Sequence, residues 1–219
     1  MTYGPDDRPT RGALVRCATG VTASLLVLLA GCSSPAATGE RTAGGVPVAF
    51  YDALDDALAA EPDVGSTALM DLGGPCPLGD EVVLDGEGVE DVSAHGVVRL
   101  GGDVPAVLCD FYDDVPVTVM VARADDDDTY AALREASGPT DAISAQEQSG
   151  QQVEVGDRTI DVVRVVYVTN PAAGTGFVAS YWDEQSRGLV QLDVSDSDAR
   201  SADYDEEQAA ADLARFLTG

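Results

Sequence analysis

The chain of 219 residues contains no lysine, a single histidine and a single tryptophan. Without lysine it has neither the P-loop lysine that contacts a nucleotide phosphate nor an amine for Schiff-base chemistry. One imidazole, His95, is too few for a His-rich zinc site. A Ser-His-Asp triad would have to use this residue, which stands at the expected start of a strand, and the chain has no Gly-x-Ser-x-Gly motif. The sequence therefore indicates no catalytic constellation, no cofactor and no metal site.

Positive charge is also scarce, because 12 arginines face 39 acidic side chains and give a formal charge of −27. This balance argues against a nucleic-acid partner, since binding to phosphates needs a surface of lysine and arginine. It argues equally against electrostatic adhesion to an anionic membrane. We interpret the carboxylates as a source of solubility rather than as a cation store. In so acidic a chain, no pair of carboxylates stands out as a general acid and base.

The first 31 residues have the composition of a bacterial export signal. Three arginines, Arg8, Arg11 and Arg16, precede an apolar segment over residues 21–30, and Leu29-Ala30-Gly31 stands directly before Cys32. The apolar segment is shorter than the roughly 20 residues that a membrane-spanning helix needs. The pattern predicts cleavage after residue 31 and a diacylglyceryl group on Cys32, whose two acyl chains would hold the protein stably on the extracytoplasmic face of the cell membrane. The alternative is an ordinary secretory peptide with a chance cysteine.

Cleavage would remove Cys17 and leave Cys76 and Cys109 beside the lipidated Cys32. Because thiols oxidise outside the cytoplasmic membrane, we expect Cys76 and Cys109 to form a disulfide. The alternative, a redox-active pair, lacks the Cys-x-x-Cys spacing.

After a Ser/Pro/Ala/Gly-rich tether, residues 32–45, one domain is expected over residues 46–219. Apolar spacing predicts helices over 47–60, 129–136 and 205–217, and either a short helix or a strand over 78–84. The run Asp125–Asp128 is interpreted as an N-cap of the helix that follows it, since it lacks the pattern of an EF-hand calcium loop. Period-two segments predict strands over 96–100, 105–112, 116–122, 152–156, 158–169, 176–182 and 188–194.

This order of elements predicts an α+β fold. We expect a mainly antiparallel sheet in a single domain, with the N- and C-terminal helices covering one face. In the last strand, Val190, Leu192 and Val194 should point inward.

Two short motifs carry a resemblance to a known family. Gly74-Pro75-Cys76-Pro77-Leu78 and Leu108-Cys109-Asp110-Phe111-Tyr112, together with the Ala-Gly-Cys-Ser-Ser segment and the Ala-rich last helix, resemble an uncharacterised family of actinobacterial surface lipoproteins. In that family a Pro-Cys-x-Leu segment opens the domain and a second cysteine lies in an early strand before an aromatic residue. The chain departs from the pattern by having Phe111 and Tyr112 where tryptophan is expected. The resemblance implies a lipid-anchored, disulfide-stapled domain of unassigned activity and supplies no catalytic residues.

Two classes of function are compatible with these features. The favoured one is a non-enzymatic binding domain for a small hydrophobic ligand, an envelope glycolipid or a surface protein, with Tyr181 and Trp182 at a hairpin end as candidate contacts. For these two aromatics, packing in the core is the preferred interpretation. The alternative is a carboxylate- or cation-dependent hydrolase acting on the cell envelope.

Overall fold

The structure is a computed structural model. It describes residues 39–60, 70–71, 75–90, 92–100, 103–112, 116–139, 146–167, 174–195 and 203–219. The predicted export signal, Cys32 and most of the predicted tether lie outside these ranges. In the described ranges, no helix is both long enough and apolar enough to cross a membrane.

Three helices form where apolar spacing predicts them: α1 (Val48–Ala60), α2 (Asp127–Ala136) and α3 (Glu206–Thr218). The N-cap residue of each of the last two helices is an aspartate. The Asp126 carboxylate accepts from the backbone N–H of Thr129 at 2.7 Å, and the Asp205 carboxylate accepts from that of Gln208 at 2.9 Å. The interpretation of the acidic run as an N-cap is therefore confirmed.

The strands are β1 (Met70–Asp71), β2 (Val82–Leu84), β3 (Glu87–Val89), β4 (Val92–Leu100), β5 (Val104–Tyr112), β6 (Pro116–Arg123), β7 (Gln146–Val155), β8 (Arg158–Tyr167), β9 (Thr175–Asp183) and β10 (Gly188–Val194). Eight of them form one sheet in the order β1-β4-β5-β6-β10-β9-β8-β7, and every described pair is antiparallel. The predicted α+β class with a mainly antiparallel sheet is confirmed. The pairing of β6 with β10 joins two meanders, β4–β6 and β7–β10.

Of the two predictions for residues 78–84, the helix is wrong, because β2 and β3 form a separate two-stranded hairpin that begins at Val82. Asp85 and Gly86 both have positive φ, 49° and 84°. This geometry suits a two-residue hairpin turn. Val82 and Leu84 are buried while Val83 is partly exposed, so burial alternates as in a strand.

The two terminal helices cover one face of the sheet, as predicted. α1 packs on β4, β5 and β6, whereas α3 packs on β7 to β10 and on β2. Val190, Leu192 and Val194 point into this core. The largest buried side chains there are Phe50, Leu54, Leu84, Phe111, Ile160, Leu192, Leu213 and Leu217.

A smaller apolar cluster lies on the opposite face. Its buried members Ala106, Ala122 and Leu189 alternate along β5, β6 and β10 with residues of the main core, and Leu133 of α2 packs on them. Side chains of successive strand residues point to opposite faces, so α2 covers one end of the second face. The rest of that face carries the polar residues described below.

Cys76 and Cys109 are joined by a disulfide, with Cα atoms 5.8 Å apart and a sequence separation of 33. Both are buried in the main core. The bond fixes the segment before the β2–β3 hairpin onto β5. The predicted pairing is thereby confirmed.

Candidate ligand site

Tyr181 and Trp182 are neighbours on β9 and therefore point to opposite faces of the sheet. Trp182 packs against the smaller cluster, where its ring meets that of Tyr130 edge-on at 5.7 Å between centroids. Tyr181 packs against the main core, and its hydroxyl donates to the carbonyl of Gly44. Both side chains are only partly buried. Each thus packs on the core, as preferred from sequence, and keeps part of its surface accessible.

An arginine lies over each of these rings. The Arg134 guanidinium of α2 is 5.5 Å from the Trp182 centroid, and that of Arg158 on β8 is 5.9 Å from the Tyr181 centroid. Cation–π attraction holds such pairs together. Two arginines are thereby fixed at this end of an otherwise acidic molecule.

A cavity of about 220 Å³ lies between the end of α2 and strands β7 to β9. Trp182, Arg134, Gln152, Asp161 and Ser180 contribute polar and aromatic surface to its lining.

A second cavity, of about 320 Å³, adjoins the first and shares Arg134, Gln152, Asp161 and Trp182 with it. It adds Tyr181 and Arg158 to the lining, and Gly44 on the N-terminal side. We call the two cavities together the Trp182 groove. Both candidate aromatics line it.

Close packing at Gly150 shapes the first cavity. A Cβ atom at this position of β7 would lie 2.6 Å from Cγ of Pro139, which is closer than real Cβ contacts allow. Pro139 lies just after the end of α2. Because Gly150 has no side chain, the segment that follows α2 can approach β7 closely at this point. A side chain at residue 150 would have to displace Pro139, which also lines the cavity.

Hydrogen bonds and one ion pair orient the polar groups of the groove. Nε2 of Gln152 donates to Oδ1 of Asp161 at 2.8 Å, across the β7–β8 hairpin. Nη1 of Arg134 contacts Oε1 of Glu184 at 3.2 Å, and both side chains of this pair are well exposed. Within the described part of the chain, no carboxylate lies in ion-pair range of Arg158. Its guanidinium also hydrogen-bonds the Tyr181 side chain, and its remaining N–H groups are donors for a ligand.

The segment Arg41–Gly45 is held against the same end of the domain. Oγ1 of Thr42 donates to Oδ2 of the buried Asp183 at 2.6 Å. Arg41 donates to the carbonyls of Leu217 and Thr218 at the end of α3. The segment Arg41–Gly45, which the sequence assigns to the tether, thus packs against the domain.

Asp183 is also the partner of Tyr51 on α1, whose hydroxyl lies 3.4 Å from Oδ2. Burial, followed by the charge of Asp183, raises the pKa of Tyr51 well above its usual range. The backbone N–H of Ser186 donates to the other carboxylate oxygen at 3.2 Å. This network ties α1, the N-terminal segment and the β9–β10 turn together, so the groove has a rigid N-terminal side.

The hydroxyl of Tyr130, beneath Trp182, is buried and has no hydrogen-bond partner among the described residues. Burial raises its pKa to about 12. The hydroxyl is therefore neutral at physiological pH and adds no charge near the groove.

The other predicted site residues lie elsewhere. Cys32 is outside the described residues. Cys109 is buried on β5 beneath the terminal helices, and His95 is its register partner on β4. The structure therefore separates the disulfide and the single histidine from the Trp182 groove. In the described ranges, no cluster of three His, Cys, Asp or Glu side chains could hold a metal ion.

Sequence reasoning missed Arg134, Gln152, Arg158 and Asp161. One signal for two of them was present, because a hairpin turn at Gly156-Asp157 places Gln152 opposite Asp161. No comparable signal relates Arg134 to Trp182, since α2 reaches β9 only through the tertiary fold.

The second face also carries Asp193 of β10, which shares a register row with Thr118 and Asp110. Burial raises the pKa of Asp193 to about 6; a hydrogen bond from Ser195 opposes this shift and the charge of Asp110 adds to it. Oγ1 of Thr118 donates to Oδ1 of Asp110 at 2.6 Å. Two acidic groups thus share a confined surface.

Replacing Asp193 by asparagine should stabilise the protein at pH 8. Because the folded-state pKa exceeds the unfolded value, ionisation of Asp193 destabilises the fold as pH rises through the window from about 4 to 6. Above this window the free energy of unfolding should rise by about 2 kcal/mol, a value reduced to allow for the partial exposure of Asp193. Below the window the gain should vanish. Urea denaturation at pH 4 and pH 8 measures both values. Asp52→Asn, at an exposed position of α1, is the control; an equal gain there would mean that only net charge matters.

No protein-family model, curated protein or solved structure matches the chain.

Proposed function

We propose that the chain is a non-enzymatic envelope lipoprotein of the actinobacterial type, anchored to the extracytoplasmic face of the cell membrane by a lipid on Cys32. Its Trp182 groove binds a small ligand or the headgroup of an envelope glycolipid. The observation that carries the proposal is the continuity of the two cavities around Trp182, Arg134, Gln152 and Asp161. Concave sites that combine aromatic surface with a few polar groups are typical of small-molecule binding.

The size of the groove favours a small ligand over a surface protein. The cavity of about 320 Å³ lies at the lower end of the usual range for small-molecule sites, roughly 300 to 1,000 Å³, and the adjoining cavity of about 220 Å³ lies below it. A protein partner would instead need about 800 Å² of buried surface on each side. We therefore place the ligand in the groove rather than across the sheet.

The position of the groove favours a ligand that reaches it from the membrane. Eight residues separate Cys32 from Arg41, which is fixed to the end of α3. Even fully extended, this length spans only about 30 Å. Gly44, three residues later, already lines the groove. A lipid on Cys32 would hold the groove within reach of the headgroups of other membrane lipids.

Mass spectrometry of the protein released from its own membrane in mild detergent tests both parts of the proposal. The denatured mass should include a diacylglyceryl group on residues 32–219, and the native mass should exceed it by one bound ligand. Cys32→Ala should lose the lipid mass and leave the membrane fraction, while its groove residues are unchanged. An unmodified Cys32 would contradict the anchor, and equal native and denatured masses would contradict the bound ligand.

A further inference from the structure

We infer that the Trp182 groove recognises a neutral saccharide, either free or as the headgroup of a glycolipid. This inference rests on the proposed binding function and names the class of its ligand.

The charges that line the groove have both signs. Arg134 and Arg158 stand on its walls with four acidic residues, Asp157, Asp161, Asp183 and Glu184. An anionic ligand would meet these four carboxylates in a molecule whose formal charge is already −27, and a cationic ligand would meet two guanidinium groups. Like charges brought together in a partly dry site are costly. A ligand without net charge avoids both penalties.

The polar groups of the groove match hydroxyls. A hydroxyl donates one hydrogen bond and accepts up to two, so a polyhydroxylated ligand needs donors and acceptors side by side. Arg158 and the Gln152 amide supply donors, and Asp161 supplies acceptors. The Ser180 hydroxyl already accepts from Nε2 of Gln191 and keeps its O–H as a donor. The existing bond from Gln152 to Asp161 uses one lone pair of the carboxylate and orients both planar groups. The pair is thereby preorganised for a ligand with adjacent hydroxyls.

The aromatic residues supply the apolar part of such a site. Sugar rings have an apolar face of C–H groups, and Trp and Tyr offer rigid apolar surface at low entropic cost. Trp182 and Tyr181 line the groove from opposite faces of β9, at the edge formed by the β9–β10 turn. The two rings lie on either side of this edge, so one sugar ring can contact Trp182 while a second extends toward Tyr181.

Fluorescence of Trp182 reports on the groove directly, because this residue is the only tryptophan of the chain. The lipidated protein in detergent would be titrated with neutral trisaccharides of glucose, mannose, galactose and arabinose. The charged probes of the same length are trimers of galacturonic acid, which are anionic, and of glucosamine, which are cationic. We expect a saturable change with at least one neutral sugar and binding at least tenfold weaker for both charged trimers. Binding of a charged trimer as tight as that of any neutral sugar would overturn the inference.

The source of the sugar is decided with phosphatidylcholine vesicles that contain or lack glucosyl and galactosyl diacylglycerol. A stronger response to the glycolipid vesicles than to the free sugars identifies a headgroup, and the reverse identifies a free saccharide. No response to any neutral sugar in either form would overturn the inference. A non-carbohydrate ligand in the native mass would also overturn it while leaving the proposed binding function intact.

A matched pair of arginine variants locates the binding. Arg158→Met removes donors from the groove, whereas Arg164→Met changes an exposed arginine on the same strand that lines neither cavity. The first should weaken neutral-sugar binding about tenfold, and the second should leave it unchanged. Both retain Trp182, and equal melting temperatures would show that both fold. Equal affinities of the two variants would place the sugar elsewhere and refute the assignment.

Discussion

Replacing Cys76 and Cys109 together by alanine is expected to lower the free energy of unfolding by about 3 to 4 kcal/mol. The disulfide closes a loop of 33 positions, and removing it restores the freedom of that loop in the unfolded chain. Both cysteines are buried in the main core, so alanine is preferable to serine, which would bury a hydroxyl. Urea denaturation of the double variant and the native protein, followed by circular dichroism, measures the difference.

The control for this prediction is the native protein unfolded in the presence of a reductant, which should match the double variant to within the small packing cost of the alanines. Thiol labelling of the unfolded, unreduced native protein should find no reactive thiol at either position. A loss of less than about 1 kcal/mol would mean that the bond constrains the unfolded chain far less than loop closure requires.

Local sequence patterns were sufficient for the helices and for most strands. Helix α3 follows from its apolar stripe and from Asp205 at its N-cap, which are both local signals. Strand β10 follows from strict alternation, with Gln191 and Asp193 between the buried valines and leucine. In each case the residues that determine the element lie within it.

Strand β7 shows where such patterns fail. The sequence pattern predicts a strand that begins at residue 152, whereas β7 begins at Gln146. Six of the residues 146–152 have polar side chains, and the remaining one is Gly150, so no apolar alternation marks this part of the strand. β7 is the last strand in the order of the sheet. Such a strand can be polar on both faces because fewer of its side chains are buried.

The order of the sheet was beyond local patterns as well. β6 and β10 pair in full register from Val117 with Val194 to Arg123 with Gly188, yet α2 and three strands separate them in sequence. Apolar residues recur at every second position in both strands, and they do so in β5 and β9, their other neighbours, as well. Alternation assigns a face to each side chain and does not choose the partner strand.

The candidate site combines both situations. Tyr181 and Trp182 stood out as adjacent aromatics near a turn, and both line the groove. Arg134 lies on α2, 48 positions earlier, and reaches Trp182 only because the fold brings α2 against this end of β9. A contact of this kind depends on the tertiary fold, so sequence could identify the aromatic residues but not the arginine beside them.

Replacing Asp212 by alanine is expected to destabilise the protein by about 3 to 5 kcal/mol. This aspartate of α3 is fully buried and accepts four hydrogen bonds. The donors are Tyr204 Oη at 3.1 Å, the Asp85 backbone N–H at 3.0 Å, Gln208 Nε2 at 3.0 Å and Arg215 Nη1 at 2.7 Å. Alanine would leave the buried Tyr204 hydroxyl without this acceptor and release the β2–β3 turn from α3. Removing one partner of a buried charged network is among the most costly single substitutions.

Two further variants separate the charge of Asp212 from its hydrogen bonds. Asp212→Asn keeps the volume and one carbonyl acceptor, so it should lose less than the alanine variant, about 1 to 2 kcal/mol. Glu207→Ala, at an exposed position of the same helix, should change the free energy of unfolding by no more than about 0.5 kcal/mol. Urea denaturation of all three at pH 7 gives the ranking. If the alanine variant were as stable as the native protein, the burial cost of the carboxylate would equal the gain from its four bonds. Apolar packing and the contact of Arg215 Nη1 with the Val83 carbonyl would then be enough to hold α3 to the hairpin.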